Sequence, residues 1–114
     1  MVMTKDDPAS LVGKTFDCDF GAFVPRLTVL STTELRVQAT IGDAAIDEVV
    51  ASELAGLRPD LFVVSWREQN GNFVVQVQDH EKMRVHNYAR LADGQHLSLQ
   101  GAIQPVVPPV EIRP

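Results

Sequence analysis

A chain of 114 residues is long enough to bury one hydrophobic core and does not require a second domain. Its formal net charge of -5 argues against a nucleic-acid partner, because a polyanion would be repelled. The single cysteine excludes an internal disulfide, and the cysteine and histidine residues lack the spacing of a zinc motif. We therefore expect no metal or cofactor and a cytoplasmic location.

The two ends of the chain differ in composition from its middle. Residues 1–10, MVMTKDDPAS, are polar and hold no apolar run that could act as a signal peptide or enter a membrane. We expect residues 1–10 to be disordered and residues 11–104 to form one folded domain. Residues 105–114 hold four prolines and should run as an extended tail.

Short alternating runs predict three strands in the first half of the chain. Residues 15–20, TFDCDF, alternate apolar and acidic side chains, which is typical of a half-buried strand. Residues 23–30, FVPRLTVL, predict a second strand with Pro25 at an edge or a bulge, because proline lacks the backbone N–H. Residues 34–41, ELRVQATI, again show the two-residue period and predict a third strand.

Residues 44–57, AAIDEVVASELAGL, fit two structures. Their apolar side chains match one stripe of a short helix, with Asp47 and Glu48 suited to its first turn. The alternative is a fourth strand that is bulged near Glu48. We favour the strand, because all the other connections are too short for a crossover.

The strongest local signal lies between two apolar runs, residues 61–68 and 72–78. Asn70 and Gly71 separate these runs, and both residue types tolerate the positive φ angles of a two-residue type I′ turn. The sequence therefore predicts a tight hairpin at this point.

The length of this turn decides which side chains share a face. A two-residue turn pairs Glu68 with Phe73 across the hairpin. The dry face would then consist of Phe62, Val64, Trp66, Phe73, Val75 and Val77, with Glu68 at its end and Arg67 exposed on the other face. A one-residue bulge after Gly71 would instead bring Gln76 and Gln78 inside.

A second hairpin is predicted from residues 83–91 and 95–103, with Ala-Asp-Gly as its turn. An even number of loop residues before it would turn His86 and Tyr88 inward. An odd number would point the other set of side chains inward, namely Met83, Val85, Asn87 and Ala89. We prefer this orientation, because these side chains make the better core.

About eight short strands joined by tight turns can hide their edges by closing into a barrel. We therefore predict an all-β fold, a small antiparallel up-and-down barrel of the lipocalin-like, or calycin, type. A barrel of this size has room for one small ligand.

Two stretches carry a resemblance to a known family. Residues 13–30, GKTFDCDFGAFVPRLTVL, and residues 61–79, LFVVSWREQNGNFVVQVQD, resemble the C-terminal, lipocalin-like domain of the molybdenum-cofactor-biosynthesis protein F (MoaF) family. The same stretches are more distantly similar to bacterial phenolic acid decarboxylases, which share the small barrel. The resemblance implies a barrel with a cavity, and it implies no particular reaction, because MoaF-like proteins have no generally established one.

The decarboxylase likeness extends to one functional residue. Glu68 stands where those enzymes carry their catalytic carboxylate, but Cys18 and Phe20 stand in the strand that holds their paired tyrosines. Their arginine falls near residues 42–46, GDAAI, where this chain has none. The resemblance therefore does not imply decarboxylation.

The candidate site residues follow from these faces. Glu68, at the rim of an apolar cavity, could act as a general acid or base, although it could also be a solvated residue beside a turn. His86 is a second catalytic candidate if its strand turns that way. The residues expected to line a ligand are Phe16, Cys18, Phe20, Phe62, Trp66 and Tyr88. Cys18 should otherwise be a small core group, because its acidic neighbours raise a thiol pKa.

Three functions fit this picture. The first is a cytoplasmic barrel that binds an apolar or aromatic small molecule, with Glu68 as polar anchor. The second is an isomerase, cyclase or lyase that uses Glu68 for acid–base chemistry. The third is a non-catalytic assembly subunit. The substitution Glu68→Gln separates them, because only an enzyme should lose turnover while it keeps its ligand.

Self-association is predicted from the outer face. The two-residue turn places Leu61, Val63, Val74 and Val85 toward solvent, where they would form an apolar patch with the tail. Two-fold association is the most common way to cover such a patch, and the decarboxylase-like barrels also associate as dimers. We therefore expect a homodimer.

Overall fold

The computed structural model describes residues 4–107, which form a closed antiparallel barrel. Each strand pairs with the next along the chain, and the last pairs with the first. The strands are β1 (Thr15–Asp19), β2 (Arg26–Ser31), β3 (Glu34–Ile41), β4 (Ala44–Arg58), β5 (Leu61–Arg67), β6 (Phe73–Asp79), β7 (Arg84–Arg90) and β8 (His96–Pro105). The predicted up-and-down barrel of about eight strands is confirmed.

The ambiguous stretch is a strand. β4 runs for 15 residues, and its first half pairs with β3 without interruption from Ala44 to Ala51, so the bulge expected near Glu48 is absent. The irregularity lies further on, opposite β5 between Gly56 and Arg58. A strand is favoured over the helix because β3 and β5 flank this segment and supply hydrogen-bond partners for its backbone.

The hairpin between β5 and β6 differs from the predicted two-residue turn. The Glu68 N–H donates to the Asn72 carbonyl at 2.8 Å, and the Gly71 N–H donates to the Glu68 carbonyl at 2.9 Å. Gly71 has φ of 93°, whereas Asn70 does not have a positive φ. The connection is therefore a three-residue loop with a glycine bulge, the alternative considered above.

The extra loop residue changes the inner face of β6. Arg67 pairs with Phe73 and Trp66 pairs with Val74, so the predicted pairing of Glu68 with Phe73 is wrong. A shift of one residue turns every side chain of a strand to the opposite face. β6 therefore buries Val74, Gln76 and Gln78 rather than Phe73, Val75 and Val77, while β5 buries Phe62, Val64 and Trp66 and exposes Arg67, as predicted.

β7 turns inward the side chains that were preferred for the core. Val85 and Asn87 are buried, whereas His86 and Tyr88 lie on the outer face. The loop before β7 has four residues, between Asp79 and Arg84. An even loop was expected to turn His86 inward, but the shift of β6 reverses that argument.

One end of the barrel is closed by the N-terminal segment. Residues 4–10, which were expected to be disordered, lead into a short 3-10 helix, Pro8–Leu11, that buries Leu11 in the core. Asp7 caps this helix by accepting a hydrogen bond from the Ala9 N–H at 3.0 Å. Burying Leu11 and capping the helix give this polar segment a fixed position. Residues 1–3 lie outside the described residues.

The register also changes the argument for a dimer. Val74 and Val85 are inside the barrel, so the apolar patch predicted from them does not exist, and Leu61 and Val63 remain on the outer face. β8 ends at Pro105, and the Val106 N–H donates to the Thr15 carbonyl at 2.8 Å. The rest of the predicted tail, residues 108–114, lies outside the described residues. The homodimer stays a prediction.

Candidate functional site

A cavity of about 160 Å³ occupies the other end of the barrel. The connections β1–β2, β3–β4, β5–β6 and β7–β8 surround its mouth, because alternate turns of an up-and-down barrel lie at one end. Most of its wall is aromatic or aliphatic, and the main contributors are Phe20, Phe23, Ile46, Trp66, Leu97 and Leu99. Concave apolar surfaces with a few polar groups are typical of small-molecule sites.

Glu68 lies at the mouth, where it joins β5 to the hairpin loop. The Trp66 indole Nε1–H donates to one carboxylate oxygen at 3.3 Å, and the Asn72 side-chain amide donates to the other at 3.3 Å. The first hydrogen bond fixes the Trp66 ring in the cavity wall, and the second orients the Glu68 carboxylate. Among the cavity-lining residues of the described chain, Glu68 is the one titratable side chain.

A row of hydrogen-bonded side chains, buried except for the half-buried His80, runs from the cavity toward the closed end. We call it the amide row, and it consists of Asn87, Gln76, Gln78 and His80. The Gln76 amide nitrogen donates to Asn87 Oδ1 at 2.9 Å, and the Gln78 amide nitrogen donates to Gln76 Oε1 at 3.0 Å. His80 Nε2 lies 3.0 Å from Gln78 Oε1. These contacts satisfy polar groups that would otherwise be costly to bury in a barrel.

Cys18 packs beside this row without reaching the cavity wall. Its thiol is fully buried, with Sγ 4.0 Å from Gln76 Oε1. Burial, with the charge of Asp17 added, raises the pKa of the Cys18 thiol to about 12, so the thiol stays protonated. A protonated buried thiol is a poor nucleophile.

The structure brings together three of the predicted site residues, Phe20, Trp66 and Glu68, at the cavity. Phe16 and Phe62 lie instead at the closed end, with ring centroids 4.7 Å and 5.8 Å from that of His80. His86 and Tyr88, on the outer face of β7, point away from the cavity.

Sequence reasoning did not propose Gln76 and Asn87 as site residues, yet both line the cavity. The bulge alternative would have placed Gln76 inside, and the preferred orientation of β7 placed Asn87 inside. A signal was therefore present in the spacing of these strands. The predicted two-residue turn instead places Gln76 on the outer face, away from the cavity.

His80 gives the fold a pH dependence. Burial lowers the pKa of His80, opposed by the charges of Asp60 and Asp79, while Lys14 lowers it further. The unfolded chain therefore binds this proton more readily than the folded protein does. The contribution of neutral His80 to stability is fully present above the ordinary histidine pKa of about 6.5, and it is lost as the pH falls below that value.

We therefore expect His80→Gln to lose less stability than the unaltered protein when the pH falls from about 7.5 to about 5.5. Urea unfolding at both pH values measures this difference. His86→Gln, on the outer face, is the control and should behave like the unaltered protein. Equal pH dependence of all three proteins would contradict the assigned burial of His80.

The described part of the chain provides neither a metal-binding cluster nor a membrane-spanning helix. Within residues 4–107, no group of three His, Cys, Asp or Glu side chains is arranged to hold a metal ion. In the same part of the chain, no helix is long and apolar enough to span a bilayer.

Comparison with known proteins gives a family and a fold. The profile of the MoaF-like family matches residues 12–104. A crystal structure from Burkholderia vietnamiensis, of a protein provisionally described as a beta-lactamase, superposes with a TM-score of 0.79 at 20% identity. The match covers 90% of this chain and 100% of that one, and at this identity it shows the shared fold alone. A search of curated proteins gave no match.

Proposed function

The chain belongs to the MoaF-like family, and on that premise we propose that its barrel binds one apolar or aromatic small molecule in the open-ended cavity. The observation that carries this proposal is the apolar wall, which meets a small number of polar groups at its mouth and floor. Such a combination binds a molecule by burial and orients it by hydrogen bonds. The single cysteine, free and buried, is consistent with a cytoplasmic location, which we also propose.

The volume of the cavity limits the size of the ligand. A cavity of about 160 Å³ is close to the roughly 150 Å³ at which an engineered apolar cavity accepts benzene. The proposed ligand is therefore a single ring or a short branched chain. A fused polycyclic molecule would require the loops at the mouth to move.

The charge at the mouth selects against anions. Glu68 is the one titratable side chain on the cavity wall of the described chain, and the whole protein carries a net charge of -5. An anionic ligand in the cavity would lie close to the Glu68 carboxylate, where repulsion in a partly desolvated site is strong, and the net charge of the protein adds a weaker repulsion at longer range. The proposed ligand is therefore neutral.

Binding is favoured over acid–base catalysis by the surroundings of Glu68. Both of its oxygens accept hydrogen bonds from neighbouring side chains, which is a structural role. Hydrolysis of a β-lactam, suggested by the description of the Burkholderia protein, is not proposed. Within the described residues, the cavity wall carries no serine, cysteine, lysine or histidine that could attack a carbonyl.

Binding can be tested with toluene as a neutral probe and benzoate as an anionic probe of similar shape. Trp66 is the only tryptophan of the chain and lines the cavity, so its fluorescence reports occupancy. We expect toluene to change this fluorescence saturably and benzoate to bind at least about tenfold more weakly at neutral pH. Ala89→Leu, which fills the cavity, should weaken toluene binding, whereas Tyr88→Phe on the outer face should not.

Glu68→Gln then separates the three functions. For a binding protein, it should improve benzoate binding and leave toluene nearly unchanged. Loss of turnover on a co-purified molecule would favour the enzyme. If the protein binds neither probe, and if Ala89→Leu also leaves the Trp66 fluorescence unchanged, the assembly subunit is favoured and the proposal is overturned.

A further inference from the structure

The amide row serves no purpose in holding a purely apolar molecule. We propose that the side-chain nitrogen of Asn87 is a fixed hydrogen-bond donor in the cavity wall, and that the ligand is a small apolar molecule with one acceptor oxygen, such as a ketone. This inference rests on the proposed binding function and names the ligand class for that site.

The hydrogen bonds of the amide row run in one direction. Gln78 donates to Gln76 at 3.0 Å, and Gln76 donates to Asn87 at 2.9 Å, so the Asn87 oxygen is already occupied. The remaining polar atom of Asn87 is its Nδ2 amide group. A molecule in the cavity would therefore meet a donor from this side chain.

The Asn87 donor has no partner of its own within the described residues. The Asn87 side chain lines the cavity although the residue is only 7% exposed. Within residues 4–107, no oxygen accepts a hydrogen bond from Asn87 Nδ2. Within the same residues every fully buried side-chain nitrogen or oxygen has a partner, so the unpaired Nδ2 is open to the cavity, and its acceptor must come from water or from a ligand there.

The opposite orientation of the row would break contacts that the structure shows. Cys18 and Gln78 approach the same oxygen of Gln76, with Cys18 Sγ at 4.0 Å. A reversed Gln76 amide would direct its nitrogen toward the amide nitrogen of Gln78, and the protonated thiol would lose its acceptor. His80 Nε2 lies 3.0 Å from Gln78 Oε1, and the His80 tautomer with its proton on Nε2 continues the same direction.

An unpaired donor discriminates between ligands of the same shape. A ketone oxygen restores the missing hydrogen bond, whereas a hydrocarbon of equal size leaves the amide desolvated and unpaired. We expect the ketone to bind about tenfold to hundredfold more tightly than its hydrocarbon counterpart.

Cyclohexanone and methylenecyclohexane provide the matched pair, since they differ by an oxygen in place of a CH₂ group. Proton–nitrogen NMR titrations of the full chain give both affinities and report on the Asn87 side-chain amide directly. We expect cyclohexanone to move the Asn87 Nδ2 proton signals downfield and to bind more tightly. Methylenecyclohexane should shift backbone signals of the cavity wall without that movement.

Substitutions complete the test. Asn87→Ala should remove most of the preference for the ketone, whereas Gln100→Ala, at an exposed position of β8 outside the cavity, should keep it. If Asn87→Ala does not fold, the movement of the Asn87 signals in the unaltered protein still decides.

The outcomes separate this inference from the proposed function. Equal affinities without an Asn87 shift would overturn the assigned donor and leave binding in place. Binding of neither molecule, together with no response to toluene, would overturn the proposed function itself.

Discussion

Replacing Gln76 with leucine should lower the free energy of unfolding by about 2–5 kcal/mol, because the change removes the partners of two buried groups at once. The Gln78 amide nitrogen loses its acceptor and Asn87 Oδ1 loses its donor. Leucine has a similar volume, so the packing of the interior is nearly preserved. Urea unfolding measures the loss, and Trp66 fluorescence can follow it.

Gln100→Leu is the matched control, since Gln100 is an exposed glutamine on β8. It should change stability by less than about 0.5 kcal/mol. The double substitution Gln76→Leu with Asn87→Leu should cost less than the sum of the single ones, because the hydrogen bond between them is lost only once. If Gln76→Leu and Gln100→Leu cost the same, the amide row does not contribute to stability.

The second large effect concerns the seam between β1 and β8. A Cβ atom at Gly101 would lie 2.0 Å from the Asp19 carbonyl oxygen and 3.0 Å from the Phe20 ring. The obstructing atom is backbone, so β1 must move for a side chain to fit. We expect Gly101→Ala to lower the free energy of unfolding by about 2–3 kcal/mol, as overpacking of a well-packed interior does.

Ala102 tests whether this effect is local. It is the next residue on β8 and points the other way, so Ala102→Val should leave stability nearly unchanged. Thermal unfolding of both variants measures the difference. A Gly101→Ala protein as stable as the unaltered one would show that β1 and β8 do not approach as closely as described.

The fold could be predicted from the sequence, because the alternation of apolar and polar side chains is sufficient to identify a strand. Residues 15–20 and 34–41 show this period, and the absence of long connections was sufficient to favour a strand for β4. The length of the hairpin loop was not readable, because Asn70-Gly71 suits both a two-residue turn and a three-residue loop with a glycine bulge. That single choice determines the face of every residue in β6.

The candidate site was only partly readable for the same reason. Trp66 and Glu68 lie on β5 or just after it, and their faces do not depend on the loop. The face of Gln76 does depend on the β5–β6 loop. The face of Asn87, its partner on β7, depends on that loop and also on the loop between β6 and β7. The closed end was not readable either, since the cover over it comes from residues 4–11, a polar segment with one anchoring leucine.

The pairing of β1 with β8 also determines how the chain must fold. Seven of the eight pairings join strands that are neighbours in sequence, and each closes a short loop. The remaining pairing, Phe16 with Pro105, joins opposite ends of the domain. Bringing such distant segments together carries the largest loss of chain entropy, and contacts of this kind slow folding. We therefore expect the pairing of β1 with β8 to be the late step of folding, which occurs after the other strands of the sheet are already in register.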